Sequence, residues 1–143
     1  MKKIITIFSS FFICVLFLSC SSFCKKASYY ACAEAVFETE KTYILFDFIN
    51  ESEKTVNQID FALCFSSVQE GEWDENSTFQ KIVVPLKVCV LSGEALKDYF
   101  EIQDFFEQEE YSSDNFQIEM FYAEKIIYDD SSFFEDSFGR FSR

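Results

Sequence analysis

From Thr55 to Ser67 the chain alternates. Thr55, Asn57, Ile59, Phe61, Leu63, Phe65 and Ser67 fall on one side of an extended segment, and Asp60, Ala62, Cys64 and Ser66 fall on the other. Successive side chains of a strand point to opposite faces, so this period of two predicts a half-buried strand with Ile59, Phe61, Leu63 and Phe65 in the core. A helix would scatter the same residues around its axis. The stretch Phe116 to Tyr128 repeats the pattern. Phe116, Ile118, Met120, Tyr122, Ile126 and Tyr128 share one face, interrupted by Glu124, while Phe121 and Ile127 lie on the other with Gln117, Glu119, Ala123 and Lys125.

Other segments fit the same class. Tyr43 to Ile49 is apolar on both faces apart from Asp47, which predicts a central strand covered on both sides. Ile82 to Leu91 reads as a strand with Val84, Leu86, Val88 and Val90 inward. Pro85 lacks an N–H, which places that strand at a sheet edge or at a bulge. Ala31 to Phe37 and Tyr99 to Phe106 are weaker strands, and Glu94 to Tyr99 fits one helical turn equally well. Asn50 to Lys54 forms a turn, because Asn and Ser side chains bond to nearby backbone. Ser92, Gly93 and Glu94 make a tight turn, while Gln69 to Ser77 and Glu107 to Asp114 are polar and acidic loops. The expected fold is an all-β antiparallel sandwich of about six to eight strands.

The N-terminus obeys different rules. Lys2 and Lys3 precede an uncharged stretch from Ile4 to Cys24, whose strongly apolar part is Ile4 to Leu18. That layout is a secretory signal, and the apolar part is short of the roughly 20 residues that span a bilayer core. Counting Ser19, Ser21 and Ser22 as well would give the length of an uncleaved anchor. The stretch Leu16-Phe17-Leu18-Ser19-Cys20 resembles the lipobox of bacterial lipoprotein precursors: an apolar approach, a small residue, then the cysteine. Phe17 and Leu18 stand where such motifs usually carry Leu and a small residue. The resemblance implies a signal peptide over residues 1–19, lipid attachment at Cys20, a lipidated tether over 20–28 and a sandwich domain over 29–143. In that class the cysteine thiol takes a diacylglyceryl group and the freed amine is acylated. Two or more acyl chains give stable anchoring, at ~0.8 kcal/mol per buried methylene. An ordinary cleaved signal, with Cys20 or Cys24 in a disulfide, is the alternative.

Removing residues 1–19 takes two lysines and no acids, leaving 10 basic against 25 acidic residues, a net charge of −15. Such a balance argues against nucleic acid and against attraction to anionic headgroups. The chain has no histidine, no Cys-x-x-Cys, and glycine only at 71, 93 and 139. Nucleophile-base arrangements, phosphate-cradling loops and Cys/His zinc sites therefore have no residues to build on. Neighbouring carboxylates such as Asp129 and Asp130 read as a solvated face, and calcium ligands would have to be assembled across loops. No cofactor, metal or catalytic residue is expected.

Cys64 and Cys89 both face away from the predicted core sides of their strands. If those strands are neighbours, an outer-face disulfide is available; two half-shielded free thiols are the alternative. Phenylalanine is abundant, 20 in all. Phe133, Phe134, Phe138 and Phe141 crowd the C-terminus, where they either form an aromatic contact surface or fold back over a sheet.

Two stretches resemble small immunoglobulin-like sandwich domains of bacterial lipoproteins and envelope proteins. Phe48 to Val56 is similar to a recurring F-x-N-x-S-x-K-T-I strand-turn-strand element. Ile126 to Phe134 is similar to a closing I-x-Y-x-D-G-S-x-W strand and turn, with Ser131 in the glycine position and Phe134 in the tryptophan position. A side chain at Ser131 works against a positive-φ turn. The resemblance implies a fold and an envelope setting, on the periplasmic side or the outer surface, with a protein partner and no catalytic residue. The leading expectation is a lipid-anchored, non-enzymatic interaction or structural module; the second is a carrier holding a hydrophobic ligand in a Phe-lined cavity.

Overall fold

The computed structural model describes residues 28–68, 77–106 and 111–140. Along these residues run seven strands: β1 (Tyr29–Glu38), β2 (Lys41–Asn50), β3 (Val56–Ser67), β4 (Thr78–Val90), β5 (Ala95–Glu101), β6 (Phe116–Tyr128) and β7 (Phe133–Glu135). They form a three-stranded sheet in the order β1-β2-β5 and a four-stranded sheet in the order β4-β3-β6-β7. Every pairing is antiparallel. The architecture is the expected all-β sandwich.

The inner faces meet through aromatic rings. Phe46 of β2 lies 4.8 Å from Phe61 of β3 and 5.7 Å from Phe121 of β6, and Phe61 stacks on Phe121 at 4.9 Å. Phe65 and Phe116 stack at 4.8 Å at the other end of the core. Such offset and edge contacts add to the area each ring removes from water. Ile59, Phe61, Leu63 and Phe65 are all fully buried, as the alternation predicts.

The alternation fails where the sheet bulges. Against β3, the β6 register skips between Ile118 and Met120 and again between Ala123 and Lys125. Each bulge adds one residue to β6 and flips the faces of the residues beyond it. Phe121 and Ala123 therefore point inward, whereas Met120 and Tyr122 point outward, the reverse of the period-two reading. A third irregularity between Val56 and Gln58 buries Val56 and exposes Asn57, which the simple pattern puts on the core face.

Three further expectations change. β2 is central in its sheet, but only one of its faces is covered, and Leu45 on the other face is exposed. Ala95 to Glu101 is strand rather than a helical turn, and a short 3-10 turn comes next at Ile102–Asp104. Ser131 takes a positive φ of 63° despite its side chain. Hydrogen bonds from Ser131 N–H to Tyr128 O and from Tyr128 N–H to Ser132 O close that turn around it. Pro85 lies on β4, an edge strand, as its missing donor requires.

The chain crosses between sheets twice at one end, from β2 to β3 and from β4 to β5. The buried Asn50 joins both crossings. Its Nδ2 donates to Lys54 O (2.7 Å) and Val90 O (3.0 Å), and its Oδ1 accepts from Ser52 N–H (3.0 Å). Its backbone N–H donates to Glu94 O (3.0 Å), and its carbonyl accepts from Gly93 N–H (2.7 Å). Lys54 then reaches the closing turn, bonding Asp130 and Ser132 at 2.7 Å each. The two stretches that resemble immunoglobulin-like elements thus touch at this end.

Asn50→Ala strands the buried Val90 carbonyl, so a loss of about 2–4 kcal/mol in urea unfolding is expected, against about 1 kcal/mol for Ser52→Ala at the exposed rim. The Lys54 ammonium and the Ser132 bonds hold the Asp130 carboxyl below the ordinary carboxylate range. The folded state therefore binds this proton less readily than the unfolded state. The contribution is present above the unfolded pKa of about 4 and fades as pH falls below it. Thermal unfolding between pH 2 and 6 should show a shallower acid loss in Asp130→Asn than in the parent chain.

Candidate interaction surface

The outer face of the three-stranded sheet is laid out by its register. Across β1, β2 and β5 the outward side chains form rows: Tyr30, Ile49 and Ala95; Cys32, Asp47 and Lys97; Glu34, Leu45 and Tyr99; Val36, Tyr43 and Glu101. Leu45 is 37% exposed and Tyr99 61%, with the Tyr43 and Tyr99 rings edge to face at 5.7 Å. A shallow depression of about 550 Å³ runs over Cys32, Glu34, Leu45, Asp47, Lys97 and Tyr99. Leu45 and Tyr99 thus lie exposed, with Tyr43 half-buried, beside the Asp47–Lys97 pair and Glu34, a mixed apolar, tyrosine and charged face.

The charges on this face are unevenly matched. Lys97 Nζ lies 2.9 Å from Asp47, and Lys41 Nζ reaches both oxygens of Glu101 at 2.8 and 2.9 Å. Those bonds raise the pKa of both lysines. Both cations are thus engaged, while Glu34 and Glu38 carry exposed carboxylates along β1. The face is acidic at its β1 margin.

The outer face of the other sheet is covered in part, over β3 and β6, while Phe79 and Val83 on β4 and Met120 on β6 stay exposed. Ala62, Cys64 and Tyr122 form a small buried cluster there. The chain after β7 lies over it: Tyr122 Oη donates to Ser137 O (3.2 Å), and Asp136 Oδ1 accepts from Arg140 N–H (2.9 Å). Gly139, at φ 63°, comes so close that a Cβ there would sit 2.5 Å from Met120 Cε and 3.0 Å from Tyr122 Cδ1. The positive φ favours glycine, and any side chain there would push Met120 Cε aside and crowd the Tyr122 ring. Lys81 adds a 2.7 Å ion pair with Glu124 and stands 5.6 Å over the Tyr122 ring.

The residues singled out in the sequence separate here. Cys20 and Phe141 lie outside the described residues, as do Gln69 to Asn76 of the polar loop. β3 and β4 are neighbours, yet Cys64 stands opposite Lys81, far along the strand from Cys89, and both thiols are free. The register therefore corrects the disulfide expectation. Cys64 is also buried rather than half-shielded, and desolvation pushes its thiol pKa up. Phe134 packs on the core, edge to face with Tyr29 at 5.8 Å. Phe133 and Phe138 are exposed, each beneath a cation, Lys125 at 5.1 Å and Arg140 at 5.2 Å. The three do not make one surface. The sheet face with Leu45 and Tyr99 is legible only in part, because Tyr43 to Ile49 reads as covered on both sides. Its signal is that β1 alternates Cys32, Glu34, Val36 against alanines.

Among the described residues no group of three or more metal-ligating side chains converges. Comparison with protein-family models, characterised proteins and solved structures found no match.

Thiol accessibility tests this arrangement. N-ethylmaleimide should label Cys32 and Cys89 in the native chain at least about 100-fold faster than Cys64, whose exposure needs local opening of the C-terminal cover. Peptide mapping of the labelled chain reads the rates. Equal labelling of Cys64 would contradict the cover.

Proposed function

We propose that this chain is an envelope lipoprotein anchored through Cys20, whose sandwich serves as a non-enzymatic interaction module. The observation that carries the module reading is the bare outer face of β1, β2 and β5, where Leu45 and Tyr99 stay exposed, while the C-terminal segment lies over Ala62, Cys64 and Tyr122 on the opposite sheet. The lipobox resemblance at Ser19-Cys20 and the immunoglobulin-like elements around Asn50 and Asp130 support the envelope setting. The partner is a protein with a cationic rim, because Lys41 and Lys97 are already paired within this face and, among the described residues, the β1 carboxylates have no ion pair. A carrier needs an enclosed apolar cavity of a few hundred cubic ångströms. The ring contacts that bridge the sheets, Phe46 to Phe61 at 4.8 Å and Phe46 to Phe121 and Phe48 to Phe61 at 5.7 Å, favour the module over the carrier.

A photo-crosslinking residue at Tyr99, compared with one at Val83 on the other sheet, tests the surface in bacterial cells. A discrete adduct from Tyr99 and none from Val83 is expected. Cys20→Ala should lower its yield about tenfold by removing the concentrating effect of the membrane. Intact-mass measurement of detergent-extracted protein should find the acyl adduct on Cys20. An unacylated N-terminus at another residue overturns the anchor, and equal adducts from both positions overturn the surface.

A further inference from the structure

Both sheets have edges, and the chain guards three of them. The β4 edge carries Pro85, Lys81, Lys87 and a register irregularity. β6 is partly capped by β7, which pairs with Lys125 to Ile127. β5 is seven residues long, carries Lys97 and runs into the 3-10 turn. Proline, lysine, bulges and short length are the devices that keep an edge from accepting another strand. β1 lacks proline, lysine, a bulge and short length: its ten residues pair with β2 from Tyr29 to Glu38 without a register shift, and its only charges are Glu34 and Glu38.

The ladder fixes which backbone groups are free. Glu51 N–H donates to Ser28 O at 2.9 Å, one step beyond the Tyr29–Asn50 pair. In an antiparallel ladder bonded pairs alternate, so the even-numbered residues of β1 bond to β2. The N–H and C=O groups of Tyr29, Ala31, Ala33, Ala35 and Phe37 point away from the sheet. The inward side chains of those residues lose cover along the strand. Tyr29 and Ala31 are buried, whereas Ala33, Ala35 and Phe37 are only partly so. On the other face of the same margin stand Glu34 and Glu38.

We propose that β1 is an acceptor edge to which an extended polypeptide with alternating apolar and basic residues adds as a further strand. Its backbone bonds to the outward amide units of Ala33, Ala35 and Phe37, the Tyr29 and Ala31 units being buried, its apolar residues cover the same three side chains, and its basic residues meet Glu34 and Glu38. This is strand addition, in which backbone bonds supply affinity and alternate side chains supply selectivity. A second copy of the chain is the wrong occupant. It would set the same carboxylates against each other, on a chain of net charge −13. The edge carries this inference, independently of the outer face and the anchor.

Hydrogen exchange read by mass spectrometry on the full chain in detergent tests it, with an acetylated nine-residue peptide alternating valine and lysine as the probe. Slowed exchange confined to residues 33–37 is expected. A valine-glutamate peptide should give none, and a fully N-methylated valine-lysine peptide should bind at least about tenfold more weakly. Ala33→Pro removes an outward N–H that the fold does not use, and should weaken binding about tenfold with the unfolding midpoint retained. Glu34→Lys with Glu38→Lys should transfer the preference to the valine-glutamate peptide. Protection on β4 or β5, no protection at all, or unchanged binding of the N-methylated peptide overturns the proposal. So does concentration-dependent protection of residues 33–37 without peptide, which would identify a second copy as the occupant. The crosslink at Tyr99 is a separate readout, so failure at the edge and failure at the face are distinguishable.

Discussion

The sandwich depends on the buried side-chain amide of Asn50. Two chain crossings meet at its end of the molecule, and a crossing removes backbone groups from both ladders at once. Unpaired groups in a buried position cost about as much as the bonds they lose. Asn50 supplies two donors and an acceptor at the point where β2 leaves its sheet, and it ties the start of β3, the end of β4 and the Gly93 turn to one residue. No aliphatic residue can replace that, and an aspartate would lack the donors for two carbonyls. Lys54 extends the junction to the β6–β7 turn, where it sits 5.5 Å over the Tyr128 ring. The packing of Phe46 against Phe61 and Phe121 depends on how this junction sets one sheet over the other.

How much of this fold the sequence reveals depends on bulges. β3 and β4 keep their core-facing alternation through the middle of each strand, so Ile59 to Phe65 and Val84 to Val90 can be assigned by eye. β6 is equally apolar but bulges at two places, and a bulge leaves no mark in a single sequence when the extra residue is an ordinary glutamate. Glu119 and Glu124 occupy those places. The result of that ambiguity is the inversion of Phe121 and Tyr122. Phe121 completes the central ring stack, whereas Tyr122 faces outward, and its burial comes from the tail rather than from the core. The turn at Asn50 to Lys54 is legible because its chemistry is local: Asn and Ser bond to backbone within four residues. The register between β3 and β4, which keeps Cys64 from Cys89, is a long-range property that spacing does not encode.

The surface is harder to read than the core for a related reason. Tyr43 to Ile49 carries apolar residues on both faces, and that composition suits either a strand covered twice or a strand with one face left for a partner. Composition alone does not separate them. The three-stranded sheet decides it, since no element of the described chain lies over Leu45 and Tyr99. The opposite sheet shows what a partial cover is built from: a glycine at 139, a buried carboxylate at Asp136 bonding the backbone of Arg140, and a tyrosine hydroxyl engaged with Ser137.

That contrast bears on how the molecule is used. Covering a sheet face and guarding an edge both constrain sequence, and here most of both falls on the four-stranded sheet, β5 being the one guarded edge of the other. Proline, the strand irregularity, the two outer lysines of β4 and the C-terminal cover all belong to the four-stranded sheet. Among the described residues, the three-stranded sheet has an uncovered face, a β1 edge without proline, lysine or bulge, and an acidic margin where the two meet. Negative charge limits pairing between like molecules, so this sheet can remain open without the self-association that an apolar edge invites. In the proposed strand addition the same charge is what a basic strand would meet. An acidic surface is thus compatible with leaving one strand unpaired, and the charge of the chain is the physical condition under which β1 can stay bare.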